Sequence, residues 1–450
     1  MGLFNSTRRG VLGLALGLVA AICSIAVPAP AEAQAQPVPI VFVHGNGDTA
    51  ALWQVTMWRF ESNGYPRNRL FAIDLRNPTA RTDNNLPEAG KSSTEDVKKQ
   101  LAAFVTQVRR QTGAPKVALV GNSRGANTIR NYVKNGGGAA VVSHVVLGGG
   151  VNHGVFNNPA ILPNNEFNGA SSFMKQLNAG PNEVVAGVKF YTMRSDRFDL
   201  FAQPDGRFIG LPGVPTRVSY DGPALRGALA NVVLPRFDHR EASYAPRAFA
   251  NTFKFITGRE PSTLAIRSET RPRLSGRITG LTSGLYNNIG VEGVRLHIYA
   301  VNRDTGVRSG APVFTQITGP GGVWGPLFAN PSASYEFVFT VPGQPRTHIY
   351  RSPFPRGSNV IHLRPAEAVA KPRDASIVVM TRPRGYFGVD DTVAFDGQRP
   401  AFSNDPVPNV SSLTLRPPFA DRSHRARFQN EVIAVRNWPA GHIAVAEFSY

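Results

Sequence analysis

The 450-residue chain predicts an α/β domain built on a mostly parallel sheet, followed by an all-β region of sandwich-like pattern. Three observations carry this. Between residues 39 and 258, short apolar runs alternate with helix-like stretches. Within that stretch Gly121-Asn122-Ser123-Arg124-Gly125 sits between an apolar run and a helix-like segment. From Pro261 onward, Gly, Pro and Asn punctuate short alternating segments, and nothing shows a convincing helical period.

In chain order, the N-terminus comes first. Ser6-Thr7-Arg8-Arg9 precedes an apolar run at 11–27, and Ala31-Glu32-Ala33 offers a small-x-small cleavage site. The paired arginines predict a twin-arginine export signal over residues 1–33, cleaved to leave a secreted or periplasmic protein. The alternative is a retained anchor. The marginal length of the run and the Pro28-Ala29-Pro30 break favour removal, so no stable membrane span is expected afterwards. The only cysteine, Cys23, lies inside this segment, and Ile22 before it is a poor match to a lipoprotein acylation box. The mature chain is therefore expected to lack disulfides, thiolate metal sites and a cysteine nucleophile.

The catalytic domain is assigned to residues 34–260. Residues 40–43 and 70–73 read as buried strands. Residues 94–110 read as an amphipathic helix, with Val97, Leu101, Phe104, Val105 and Val108 on one face. A strand at 116–120 leads to the glycine-flanked serine and a helix at 126–133. Later strands are expected around 145–147, 188–193 and 232–234, and a helix over 244–256 closes the unit at Gly258. Beyond it, residues 261–365 form a β-sandwich-like unit. Residues 366–450, past a seam near 365–372, make a second β unit or complete the first.

The formal charge of +19 is large and carried mostly by scattered arginines. No basic helix, aromatic RNA-binding motif or zinc-ligand pattern accompanies it, so nucleic acid is not the expected partner. A protein working at anionic lipid or cell surfaces fits this charge.

The chemistry is concentrated in a few places. Gly-x-Ser-x-Gly between a strand and a helix is a nucleophile elbow, whose glycines let the chain turn sharply enough to present the Ser123 hydroxyl. A serine needs a base within reach and a carboxylate to orient that base. In enzymes with this elbow the chain order is nucleophile, acid, base. His239, after the last expected strand in Phe237-Asp238-His239, fits the base; His144 and His153 come too early. For the acid, Asp199 with Leu200-Phe201 behind it fits better than Asp196, which remains the alternative and suits a turn-stabilising role. His44-Gly45-Asn46-Gly47 follows the first strand, and the backbone N–H groups of Asn46 and Arg124 are the expected oxyanion donors. His44 reads as a structural group pinning that loop. No metal or cofactor is called for.

These residues resemble the α/β-hydrolase superfamily: Val41-Phe42-Val43-His44-Gly45, the Gly-Asn-Ser-Arg-Gly elbow and Asp238-His239 match secreted triacylglycerol lipases. Residues 293–299, 302–306 and Trp324-Gly325-Pro326 are similar to the C-terminal β domain of archaeal-type two-domain lipases. That resemblance implies a β domain helping to form a lipid-binding surface. Asn122 departs from the pattern, standing where a histidine often precedes the serine, and the acid falls after a later strand than in the archaeal relatives.

The expected function is a secreted serine carboxylic-ester hydrolase, a lipase or esterase. An extracellular polyester depolymerase acting on polyhydroxyalkanoate is the close alternative. A non-catalytic lipid- or glycan-binding protein on a hydrolase scaffold is the alternative of another class. Residues 151–186, rich in Phe, Leu and Ile, are expected to cap Ser123 and line an acyl pocket, or else to complete the core.

Overall fold

The computed structural model describes Met1 and residues 36–367 and 376–449. The export signal, Cys23 and part of the seam near 365–372 lie outside the described residues. No helix among the described residues is long and apolar enough to cross a membrane.

Six parallel strands form the first sheet: β1 (Ile40–Val43), β2 (Leu70–Ile73), β3 (Val117–Asn122), β4 (Val142–Gly148), β5 (Lys189–Ser195) and β6 (Ala230–Leu234). Their order is β2-β1-β3-β4-β5-β6. The near-continuous apolar runs follow from burial on both faces. Ile40 and Phe42 of β1 join a core with Trp53, Phe60, Phe249 and Phe253. Val41 and Val43 point the other way, toward Val97, Leu101, Val105 and Ile129. The register aligns the carboxyl ends: Val43 lies opposite Gly121, Asn122 opposite Gly148, and Ser195 opposite Leu234. Loops leaving that edge of an α/β sheet are where sites are built.

Helix α1 (Gln54–Ser62) was not anticipated, because burial of nearly every residue on it erases the amphipathic period. Helix α2 (Thr94–Thr112) begins at a Ser93–Asp96 capping box and ends at left-handed Gly113. Helix α3 (Arg124–Asn135) starts directly after Ser123, two residues before the expected start. A short α4 (Ser172–Leu177) lies within the 151–186 connection. The single helix expected over 244–256 is two pieces, α5 (Glu241–Tyr244) and α6 (Pro246–Thr257). Ala245 between them is extended at ψ 155°, as the residue before a proline tends to be.

The C-terminal region is rich in antiparallel strands. Its main sheet has seven strands and includes Arg295–Val301, Ser334–Phe339 and Arg346–Arg351, and also Val378–Thr381, Ser412–Leu415 and His442–Glu447. Strand His442–Glu447 runs parallel to both Arg346–Arg351 and Val378–Thr381. The main sheet therefore has strands from both sides of the seam at 365–372. The core of this region also takes Val55 and Trp58 from α1, and the Trp58 indole N–H donates to the Gly357 carbonyl at 2.8 Å.

Candidate active site

Ser123 joins β3 to α3 with φ 53° and ψ −123°, a strained conformation for a residue with a side chain. The flanking glycines make it possible. A Cβ on Gly125 would lie 2.5 Å from the Val43 carbonyl oxygen and 2.7 Å from that of His44. A Cβ on Gly121 would lie 2.6 Å from Ile129 Cδ1. The helix start is thus pressed onto the end of β1, next to the loop that follows it. Gly45 faces Ser123: a Cβ built on it would be 3.0 Å from Ser123 Cβ.

Past β6, His239 lies in a buried turn with its Nδ1 at 2.9 and 3.0 Å from the two Asp199 carboxylate oxygens. Asp199 is itself fixed by accepting the Phe201 N–H at 2.8 Å. Both side chains are almost fully buried. The Phe201 ring meets the imidazole edge-on, with centroids 4.5 Å apart. Asp196 is elsewhere, accepting from the Phe198 and Arg236 backbone N–H groups at 3.3 and 3.2 Å. Because Nδ1–H is engaged by a carboxylate, the neutral ring presents Nε2 as its basic nitrogen. That Nε2 is buried and has no hydrogen-bond partner among the described residues, Ser123 Oγ included. The end of β3 and the His239 turn both close on Gly149, where a Cβ would meet the His239 carbonyl oxygen at 2.3 Å and Asn122 Nδ2 at 3.3 Å.

Asn122, in place of the familiar histidine, donates to the Gly148 carbonyl at 3.1 Å and to Ser243 Oγ at 2.8 Å, tying β3 to α5. Asn46 Oδ1 accepts the Ala80 N–H at 2.8 Å. His44 is buried, with Nδ1 2.9 Å from the Gly45 carbonyl and Nε2 3.1 Å from the Leu75 N–H. Burial holds its pKa below the ordinary imidazole value.

Several supporting residues carry no sequence signal. Arg124, expected only for its backbone N–H, buries its guanidinium against Glu166 of the 151–186 connection at 2.6 Å. It also donates to the Pro78 and Ser92 carbonyls, both at 2.8 Å. Asp238 accepts the Tyr386 N–H at 2.7 Å and Arg382 Nη1 at 3.1 Å. Burial, then the nearby Glu241 carboxylate, pushes Asp238 up to about 7 against the pull of Arg382. Arg240 bridges to Asp48 at 3.0 Å, joining the His239 turn to the loop after β1. Glu166, Arg382 and Tyr386 lie far along the chain from the motifs, so no local spacing could reveal them. In the 151–186 connection, Val151, Val155 and Phe156 pack with Ile161, Phe167, Phe201 and Ile209.

The parallel sheet, the elbow and the carboxyl-edge loops define an α/β-hydrolase. Residues 37–205 match the family model described as Lipase (class 2), and residues 272–368 match that of the Lipase C-terminal domain. The two segments expected of a two-domain lipase are thus matched one after the other along the chain. Among solved structures it is similar to Aspergillus fumigatus lipase B, at 14% identity over 51% of this chain and 55% of that one, TM-score 0.36. The chain thus spans about half the length of that relative. It is also similar to Bacillus licheniformis lipase BlEst2 in its propeptide form, at 18% identity over 60% of this chain and 59% of that one, TM-score 0.37. The mature form of the same lipase aligns at 22% identity over 50% of this chain and 93% of its own, TM-score 0.34.

Proposed function

We propose that the protein cleaves carboxylic esters of lipids through an acyl-enzyme, with Ser123 as nucleophile, His239 as base and Asp199 as its orienting acid. The observation that carries this reading is the buried Asp199–His239 pair with Nε2 left for a proton, together with the strained elbow conformation of Ser123. Ser123 Oγ attacks the acyl carbonyl while its proton passes to Nε2. The backbone N–H groups of Asn46 and Arg124 receive the oxyanion. Collapse of the tetrahedral species breaks the C–O bond, and the imidazolium returns the proton to the departing alcohol. Water then repeats the sequence and releases the carboxylic acid. Ser123 Oγ must come within hydrogen-bond reach of Nε2 for this transfer, which suits a site that tightens when substrate binds.

The apolar group around Phe156, Ile161, Phe167 and Phe201 abuts His239 and forms the wall for the acyl chain. Exchange of Phe156 or Ile161 for Ala should shift preference along a series of p-nitrophenyl esters toward longer chains. The reading as a whole is tested by labelling with a fluorophosphonate and by ester turnover. Wild type should be labelled at Ser123, and Ser123→Ala should lose both label and turnover while still folding. Wild type that turns over no ester and takes no label would make it a binding protein on a hydrolase scaffold. Export and cleavage after Ala33 are part of the same proposal, read by N-terminal sequencing of protein recovered outside the cytoplasm.

A further inference from the structure

The loop after β1 is gripped from the β region. Arg364 donates from Nη1 to the Gly47 carbonyl at 2.7 Å and from Nη2 to the Asp48 carbonyl at 2.9 Å. The same Nη2 reaches Asn288 Oδ1 at 2.7 Å. Asn288 in turn donates from Nδ2 to the Asp48 and Leu75 carbonyls, both at 2.9 Å. That Nδ2 also lies 3.3 Å from His44 Nε2. The Asp48 carboxylate is engaged elsewhere, by Arg240. A largely buried guanidinium is therefore spent on amide carbonyls, where it fixes peptide planes.

Those planes decide where the oxyanion donors point. In a trans peptide the C=O and the N–H of one unit face opposite ways. The Gly45 carbonyl is held by His44 Nδ1 at 2.9 Å and by the Asp48 N–H at 3.4 Å. The Asn46 N–H, in the same peptide unit, is thereby turned to the other side. The Gly47 N–H is engaged by the Pro78 carbonyl at 3.2 Å. With Asp48 anchored through its carbonyl and Gly47 through both of its polar groups, the turn at 45–48 has little freedom to flip. His44 holds its role only as the Nδ1–H tautomer, because Nε2 must accept from Leu75.

We propose that Arg364 and Asn288 are positioning residues for the oxyanion loop, Arg364 through the Gly47 and Asp48 carbonyls and Asn288 through the Asp48 and Leu75 carbonyls. The inference rests on Ser123 being the nucleophile. It makes the β region a working part of the catalytic unit as well as a neighbour. Neither residue touches the reacting atoms; each sets the direction of a donor that does.

The test uses the full-length protein with Arg364→Ala and Asn288→Asp, each compared with wild type on a p-nitrophenyl ester and its thionoester. A thiocarbonyl sulfur is a poor acceptor, so the ratio of ester to thionoester turnover reports on oxyanion donors. We expect kcat to fall roughly tenfold to a hundredfold with KM changed less than about threefold, since a displaced donor acts on the transition state. The ester-to-thionoester ratio should fall in parallel. Methylguanidinium added to Arg364→Ala should restore part of the lost kcat and leave wild type unchanged. The proposal is overturned by kcat within about threefold of wild type in a folded variant, or by a loss of kcat at an unchanged ratio. Should Arg364→Ala fail to fold, Asn288→Asp decides by the same two criteria. Absence of fluorophosphonate labelling in wild type would instead refute the nucleophile assignment.

Discussion

Gly125→Ala adds one methyl group where the structure leaves no room. The new Cβ would stand 2.5 Å from the Val43 carbonyl oxygen, 2.7 Å from that of His44 and 3.0 Å from the Val43 carbonyl carbon. Ordinary contact begins near 3.4 Å, so the start of α3 and the end of β1 must separate by about 0.9 Å. All three obstacles are backbone, two of them on Val43, which is held in the sheet between β2 and β3, and the third on the residue that follows it, so none can swing aside. Overpacking of this kind costs roughly 1–3 kcal/mol. The larger effect is on function, because the separation lies between Ser123 and the loop carrying Asn46. A displacement of about 1 Å at reacting groups can cost on the order of a hundredfold in rate. The assay is kcat/KM on a p-nitrophenyl ester alongside thermal unfolding. Gly113→Ala is the control: its φ of +65° penalises a side chain, yet nothing lies within 4 Å of the added Cβ. It should lose about 1 kcal/mol of stability with activity retained. Gly125→Ala with kcat/KM within about threefold of wild type would refute the argument that close apposition of these backbones builds the site.

Asp199→Asn should leave the fold intact and lower kcat by about ten-thousandfold, because the amide no longer enforces the Nδ1–H tautomer. Asp196→Asn should cost no more than about tenfold, which steady-state kinetics would separate clearly. Removal of Arg382 leaves Asp238 and Glu241 without their shared guanidinium, and Arg382→Met should destabilise by about 3–5 kcal/mol in urea unfolding. Acid should weaken the protein in two stages. Burial lowers the His44 pKa below its ordinary value of 6.5, so its contribution is present above that value and lost as pH falls below it. His144, His348 and His442 are lowered by burial in the same sense. For Asp74 burial works upward, but the His362 imidazole 2.7 Å away, the Ala50 backbone N–H and the nearby His44 together outweigh it and hold the carboxyl far below its ordinary 3.8. Its share is lost only as pH falls below that value. Urea midpoints against pH should thus decline first below about 6.5, and His44→Asn should flatten part of that first decline.

The sheet was legible because a strand covered on both faces must be apolar throughout, and that needs no knowledge of its partners. The elbow was legible for a related reason: Gly121 and Gly125 answer a steric demand local to five residues. Helix α1 was not, since Trp58 faces one core and Phe60 another, so no polar stripe remained to mark a period. The carboxylate that meets His239 lay between readings because spacing alone admitted both Asp196 and Asp199; the fold turns Asp199 toward the imidazole. Deleting residues 164–169, a natural sequence-based test of a cap, would also remove Glu166 and leave Arg124 buried without its carboxylate. Point substitutions in the Phe156 cluster avoid that confusion.

The least legible feature is the dependence of the loop after β1 and of the His239 turn on residues that lie far beyond them in the chain. Asn288 and Arg364 hold the loop after β1, and Arg384 donates to the Ala51 and Leu52 carbonyls, both at 3.0 Å. Arg382 and Tyr386 hold the residue before His239. The last three lie past residue 368, outside both matched family segments. The strand just before them, Val378–Thr381, joins the sheet that begins within the matched C-terminal segment, so anchoring it anchors the contacts as well. A buried arginine whose hydrogen bonds end on backbone carbonyls has no partner residue type that a sequence could display. It is visible only once the fold has brought the two regions together. Truncating the chain at residue 366 would therefore do more than shed a surface module. It would leave Asp238 buried without Arg382 and the Ala51–Leu52 turn without Arg384, and esterase activity should be lost even on a small soluble substrate.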